Sequence, residues 1–153
     1  MLAKTFIAQF LKKGNKVGAV APSSRFLAAK MLKHISFDRC ETIVEFGPGT
    51  GAFTGYIQEK MKPSARLIII ELNETFCHDL TQKFASSNTE IIQGSATDLS
   101  SILSDRGIQH ADCIISSLPL AIFDETLREH ILTAAHQCLS DGGHFVQFQY
   151  SLQ

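Results

Sequence analysis

The run Val44-Glu45-Phe46-Gly47-Pro48-Gly49-Thr50-Gly51 constrains the fold of this 153-residue chain more than any other stretch. It reads as a strand that ends abruptly in a glycine turn and opens a helix, expected from about Ala52 to Lys62. Three glycines within five residues let the backbone bend tightly and approach a ligand closely, and the first amides of the helix are donors without intrahelical partners. One strand later, Leu67-Ile68-Ile69-Ile70 ends in Glu71, twenty residues past Gly51, where a carboxylate can accept both hydroxyls of a ribose. The competing account is a structural glycine turn followed by a surface Glu. The βαβ setting argues against it, because such a unit brings the ends of its two strands side by side.

From Glu41 onward strands alternate with helices, which predicts an α/β domain with a parallel sheet covered on both faces. Strands are expected at 41–46, 66–71, 89–93, 111–116 and 143–150. Helices are expected at 52–62, 74–86 and 123–139, with a short helical or irregular stretch around 98–106. Asp124 falls in a helix's opening turn and Asp141 in an Asp141-Gly142-Gly143 turn, so capping and turn formation account for both without catalysis. A hydrophobic content of 44% gives a chain of this length one proper core, hence one domain overall. Within it, residues 40–153 form the ligand-binding part and residues 1–39 a helical lead-in. Leu2, Phe6, Ile7, Phe10 and Leu11 share helical spacing, which makes residues 2–13 an amphipathic helix stopped by Gly14-Asn15. Residues 17–22 read as a linker. Ser23 or Ser24 is expected to cap the next helix, which carries Phe26, Leu27, Met31 and Leu32 toward the core and ends near Ile35.

The overall formal charge of −1 conceals an asymmetry. Residues 1–39 hold eight Lys and Arg against Asp38 alone, a net +7, whereas the remainder holds six against fourteen Asp and Glu, a net −8. A cationic arm suits an anionic partner, lipid headgroups or nucleic acid. Cys40, Cys77, Cys113 and Cys138 stand singly in or beside apolar stretches, with no C-x-x-C pair and no His at ligand spacing. They read as free, buried thiols, which fits a reducing cytoplasm and proposes no metal site. No apolar run approaches the roughly 18 to 20 residues needed to span a bilayer, and no cleavage site follows an apolar core at the N-terminus, so neither a transmembrane nor a secreted protein is expected.

Gly47, Gly49 and Gly51 give G-x-G-x-G rather than the dinucleotide spacing G-x-G-x-x-G, with Glu45 just before the turn. In this the chain resembles the class I methyltransferases that use S-adenosylmethionine (AdoMet). The resemblance implies a Rossmann-like three-layer sandwich with a mostly parallel sheet and AdoMet as cofactor. It implies that Glu45, Gly47, Pro48, Gly49, Thr50 and Gly51 wrap the methionine part, and that Glu71, with Leu72 beside it, holds the ribose. Ser95 and Ala96 follow the third strand where the family commonly sets an acidic residue and an alanine against the adenine, and Ser116 closes the cofactor-binding set. A hydroxyl at 95 gives the adenine amine a weaker contact than a carboxylate would. Members of the family usually add two strands after the fifth, the last antiparallel. This chain is expected to lack both, through truncation or as a short member, which would leave an apolar edge prone to self-association.

Ser117-Leu118-Pro119-Leu120 follows the fourth strand, at the carboxyl edge where open α/β sheets bind ligands. Adenine N6-methyltransferases carry Asn/Asp-Pro-Pro-Tyr/Phe or Asn-Leu-Pro-Tyr/Phe there, the amide holding the amine and the ring stacking on the base. Here Ser117 replaces the Asn and Leu120 the aromatic. Together with residues 17–25 and Gly143-His144-Phe145-Val146-Gln147-Phe148, this loop makes the chain similar, over about residues 1–150, to bacterial phospholipid N-methyltransferases, themselves similar to the ribosomal RNA adenine dimethyltransferases. The implied activity is methylation of the phosphatidylethanolamine headgroup at the inner face of the cytoplasmic membrane, by a peripheral enzyme whose residues 2–13 attach it to an anionic surface. From periodicity alone an ordinary helix folded onto the domain is the favoured account; the lysines and the charge asymmetry narrow the gap, and the resemblance tips the choice to the membrane.

Methyl transfer from a sulfonium is an in-line displacement that needs positioning and desolvation more than a strong catalytic group. The substrate ammonium, titrating near 10 like lysine, must nevertheless lose a proton. Catalytic candidates are an apolar pocket around Leu118 and Pro119 and an acceptor such as Ser117, the Ser116 or Ser117 carbonyl, or Tyr150, while Arg25, Lys12 and Lys13 could hold the lipid phosphate. Two alternatives remain open: an rRNA adenine N6-methyltransferase whose basic arm grips RNA phosphates, and an AdoMet-binding protein without turnover.

Overall fold

The computed structural model describes residues 22–148, with side chains from Arg25 onward. The amphipathic helix expected over 2–13, with Lys12 and Lys13, and Tyr150 all lie outside the described residues. The first helix, α1 (Pro22–Met31), opens on Pro22. Proline suits that position because the amide it lacks would have had no intrahelical partner. Ser23 and Ser24 therefore fall inside the helix rather than ahead of it as a cap. The helix buries a narrow stripe, Ala28 with Leu32 one turn on, whereas Phe26 and Leu27, expected in the core, are 79% and 40% exposed. A helix that meets the domain along one edge can bury only residues three or four apart, and 26 and 27 lie off the 28–32 stripe. A turn after Met31 ends it earlier than Ile35.

A short 3₁₀ turn (Phe37–Arg39) leads into β1 (Thr42–Phe46), followed by α2 (Thr54–Lys60), β2 (Arg66–Glu71), α3 (Glu74–Phe84) and β3 (Thr89–Gln93). After a second 3₁₀ turn (Ala96–Asp98) come α4 (Leu99–Ser104), β4 (Ala111–Ser116), a third 3₁₀ turn (Leu120–Ile122), α5 (Glu125–Cys138) and β5 (Leu139–Gln147). The strands form one sheet in the order β3-β2-β1-β4-β5, every pairing parallel. β1, β2 and β4 are buried on both faces, which is why Ile43-Val44, Leu67-Ile68-Ile69-Ile70 and Cys113-Ile114-Ile115 read as continuous apolar runs. With this strand order, the right-handed rule for such crossovers sets α2 and α3 on one face and α4 and α5, which contact each other, on the other. This is the expected Rossmann-like three-layer sandwich. Among the described residues the sheet has five strands, with β3 and β5 at its edges.

Local chemistry accounts for the boundaries. Asn73 Oδ1 accepts from Phe76 N (3.0 Å) to start α3, and Asp124 Oδ1 accepts from Leu127 N (2.8 Å) to start α5, the capping role expected of Asp124. β5 begins at Leu139, four residues before the expected 143, because Leu139 already pairs with Ala111; the next pair, Cys113 with His144, lies across an irregularity that contains Asp141-Gly142-Gly143. Asp112 secures that irregularity. Its Oδ1 accepts from Ser140 Oγ (3.1 Å), and its Oδ2 accepts from the amides of Glu41 (2.8 Å) and Thr42 (3.0 Å), tying together the amino ends of β1, β4 and β5.

Candidate active site

The chain order reverses between β1 and β4: β1, β2 and β3 run to one side, β4 and β5 to the other. Ligands of open α/β sheets bind at the carboxyl ends of strands beside such a reversal. At this point the glycine turn leaves β1 and the Ser117-Pro119 loop leaves β4. Gly47 has φ +59° and Gly51 φ +87°, a region that side chains adopt only under strain. Both are also crowded: a Cβ on Gly47 would lie 2.5 Å from Leu118 Cδ2, and one on Gly51 2.4 Å from Phe84 Cε2. The turn is thus pressed against the β4 loop on one side and α3 on the other. Pro48 is buried, while Gly49 and Thr50 remain partly open to solvent.

Glu71 is bound to the turn itself. Its Oε1 accepts from Gly49 N (3.0 Å) and its Oε2 from Asn73 N (2.9 Å), so a side chain only 1% exposed bridges the turn after β1 and the start of α3. Burial pushes its carboxyl above the usual range, and the backbone donors oppose that shift. A carboxylate has about four acceptor positions, which leaves capacity for a further donor such as a ribose hydroxyl. Leu72, next in sequence, is partly exposed beside it.

Glu45 lies deeper than expected. It is fully buried beneath the turn, where its Oε1 accepts from Thr54 Oγ1 (2.7 Å) at the first residue of α2. Its Oε2 has no partner among the described residues. Desolvation, against the Thr54 hydrogen bond and with a smaller push from Glu71, raises its pKa to about 8, so it holds a proton at neutral pH. A neutral carboxyl there fastens β1 to α2. Thr54 went unnoticed in the sequence, although a hydroxyl at the mouth of a helix nine residues after a strand-end Glu is a signal that could have found it.

Ser95 and Ala96 follow β3 as expected, but the Ser95 hydroxyl is occupied: Oγ accepts from Thr97 N (3.2 Å) and shares a hydrogen bond with Thr97 Oγ1 (2.7 Å). It caps the 3₁₀ turn that buries Ala96.

The β4 loop begins as an extension of the ladder, Ser117 N donating to Phe46 O (3.0 Å). Buried Ser116 turns its Oγ to accept from Leu118 N (3.2 Å), and Leu118 leans on Gly47. Pro119 precedes the 3₁₀ turn in which Leu120 is buried, so position 120 cannot present a flat surface to a base. Three residues complete the region: Gln147 and Phe148, which the sequence marked only as part of the resemblance and not as site residues, and Phe53, which it did not mark. Gln147 Nε2 donates to Leu118 O (2.6 Å) and Phe148 O (2.9 Å), and Phe148 stacks on Phe53 at 4.0 Å between centroids with planes 5° apart. Among the described residues, Ser117 Oγ and Gln147 Oε1 are buried without partners. The structure therefore brings together Gly47–Gly51, Glu71, Ser116, Ser117, Leu118 and Pro119. It does not bring Arg25 to them: that guanidinium grips Glu59 with contacts of 2.5 and 2.6 Å on the exposed side of α1.

The sequence profile of the methyltransferase domain family matches residues 43–143. The chain is 33% identical over 143 residues to the ornithine lipid N-methyltransferase of Singulisphaera acidiphila, an overlap of 93% of this chain and 74% of that protein. It is 32% identical over 103 residues to the ribosomal RNA small subunit methyltransferase A of Mycoplasma capricolum, an overlap of 66% of this chain and 37% of that one. Among solved structures, the CurJ carbon methyltransferase superimposes with a TM-score of 0.63 at 20% identity over 85% of this chain and 35% of its own. An AdoMet-dependent methyltransferase from Mesorhizobium loti does so with 0.61 at 20% identity over 82% and 52%. At such identity these two establish the fold alone. The chain belongs to the methyltransferase domain family, with the architecture of the class I AdoMet-dependent enzymes.

Proposed function

We propose that this methyltransferase carries the methyl group of AdoMet to the primary amine of a membrane lipid, with phosphatidylethanolamine as the first headgroup to test. The site suits the cofactor. Glu71 is held with acceptor capacity to spare beside a glycine turn whose Gly49 and Thr50 stay accessible, and buried polar atoms without partners lie at the same strand ends. AdoMet bound there supplies a methyl group already activated on a sulfonium. The chain's own residues have to hold the acceptor, exclude water and keep the amine neutral.

The observation that carries the lipid reading is the β4 loop. It offers a hydroxyl at 117 and a buried Leu at 120, so it has neither the amide nor the exposed ring with which an adenine would be held, and it presents the partly open, apolar Leu118 over a buried Pro119 instead. An apolar wall lowers the pKa of an amine by disfavouring its ammonium form, which frees the attacking lone pair. The identity to an ornithine lipid N-methyltransferase, over most of both chains, supports a lipid amine and makes ornithine lipid the second headgroup to test. The cationic residues 1–39 and the amphipathic pattern of 2–13 support a peripheral position on an anionic membrane surface. Among the described residues no helix is long and apolar enough to cross a membrane.

The test incubates the chain with methyl-labelled AdoMet and, in parallel, anionic vesicles containing phosphatidylethanolamine, the same vesicles containing ornithine lipid, and ribosomal RNA. Label in either lipid supports the proposal and the stronger acceptor names the headgroup. Label confined to RNA overturns it.

A further inference from the structure

Gln147 is held in a way that fixes the chemistry it can perform. Its Nε2 faces two carbonyl oxygens, Leu118 O at 2.6 Å and Phe148 O at 2.9 Å. Exchanging the amide nitrogen and oxygen would set oxygen against both, so the orientation is chemically determined. Oε1 is thereby left buried and without a partner among the described residues, and so is Ser117 Oγ. The two belong to one small region: Gln147 pairs in register with Ser116, Ser117 follows directly, and the Leu118 carbonyl held by Gln147 comes next. A buried acceptor left unpaired is costly, and two of them, one at the end of β5 and one in the loop after β4, mark where a ligand's donors belong.

Resting on the N-methyltransferase reading above, we propose that Gln147 determines acceptor specificity: Oε1, together with Ser117 Oγ, accepts the two N–H bonds of a neutral primary amine. A neutral amide is the right group for this. A carboxylate would hold the amine as its ammonium, which has no lone pair, whereas an amide oxygen takes the N–H and leaves the lone pair free. The nitrogen lone pair then forms the new N–C bond while the carbon–sulfur bond breaks with its electron pair on sulfur, and the resulting N-methylammonium releases its proton to water. Each transfer replaces an N–H with a methyl group. A monomethylated amine satisfies one of the two acceptors and a dimethylated amine neither, so the arrangement favours the first methylation and resists each later one.

The test measures kcat/KM at saturating AdoMet on anionic vesicles carrying phosphatidylethanolamine, its N-methyl form or its N,N-dimethyl form, for the unaltered chain and Gln147→Met. The unaltered chain is expected to slow at each step. Met also removes the Nε2 donor that holds the Leu118 and Phe148 carbonyls, a loss common to all three amines, so the reading lies in the ratio: the Met variant should lose about 10- to 100-fold more on the primary amine than on the dimethyl amine, which uses neither acceptor. An equal loss on all three amines would mean that Gln147 only supports the loop and would overturn the proposal, as would equal rates on all three by the unaltered chain. Absence of label from every lipid with the unaltered chain would overturn the N-methyltransferase reading and this proposal with it. Should Gln147→Met fail to fold, Gln147→Glu keeps the length and sets an ionisable group beside the amine. It is expected to shift upward the pH at which kcat/KM for the primary amine levels off; an unshifted profile would overturn the proposal.

Discussion

Two carboxylates beneath one turn do different work, because Glu71 meets two backbone donors and Glu45 meets a single hydroxyl. Replacing Glu71 with Ala strips the Gly49 and Asn73 amides of their acceptor and removes the group proposed to hold the ribose. AdoMet affinity should drop by at least about tenfold, the scale of one lost charge-assisted hydrogen bond, in a calorimetric titration. Glu45 gives a pH signature. From the ordinary carboxylate range up to about 8 the folded chain keeps a proton that the unfolded chain has released. Stability therefore falls as pH rises through that window, by up to about 1.4 kcal/mol per pH unit. Glu45→Gln should flatten this slope in urea denaturation series run between about pH 5 and 8; an unchanged slope would place the titrating proton elsewhere. Glu71 was legible in the sequence because it ends an apolar strand at a telling distance from the turn. The contact of Gln147 with the Leu118 carbonyl was not, since a hydrogen bond between residues distant in the chain leaves no periodicity behind it.

At the scale of elements, the turn after β1 and the loop after β4 behave as one unit through the contact of Gly47 with Leu118. Gly47→Ala combines a strained φ of +59° with a Cβ 2.5 Å from a side-chain carbon. It should cost about 2–4 kcal/mol of stability by the sum of backbone strain and overpacking. Leu118→Ala in the same chain should return part of that loss, because it removes the clash and leaves the strain. Additive losses in the double mutant would show that the two segments are independent. Helix and strand order was legible from the alternation of apolar runs with amphipathic stretches, and β2, β3 and β4 fall at their expected bounds. The misjudged edges each have a local cause: Pro22 starts α1 in place of a serine cap, and pairing of Leu139 with Ala111 starts β5 before its glycines.

For the whole molecule, a parallel sheet with its reversal between β1 and β4 brings a donor turn and an acceptor loop to one edge, while the N-terminal segment concentrates positive charge. Association with anionic vesicles should accordingly weaken as salt rises toward and beyond about 0.1 M, where the Debye length is about 10 Å; sedimentation with vesicles at graded salt measures this, and salt-independent binding would leave the charge without a role. The fold class was legible because parallel strands buried on both faces need near-continuous apolar runs. The placement of α1 was not, since periodicity shows that a helix has an apolar face and does not show how much of it the domain covers. The central claim is that methyl donor and lipid amine meet across the β1/β4 reversal. Residue-resolved NMR tests it directly, by titrating labelled protein first with S-adenosylhomocysteine and then with a short-chain phosphatidylethanolamine. The expected first set of shifts is centred on Gly47–Gly51, Glu71–Asn73 and Ser95–Thr97, and the second on Ser117, Leu118 and the Gln147 side-chain amide. Shifts gathered instead at the opposite end of the sheet, around Ile108, His110 and Gln137, would contradict it.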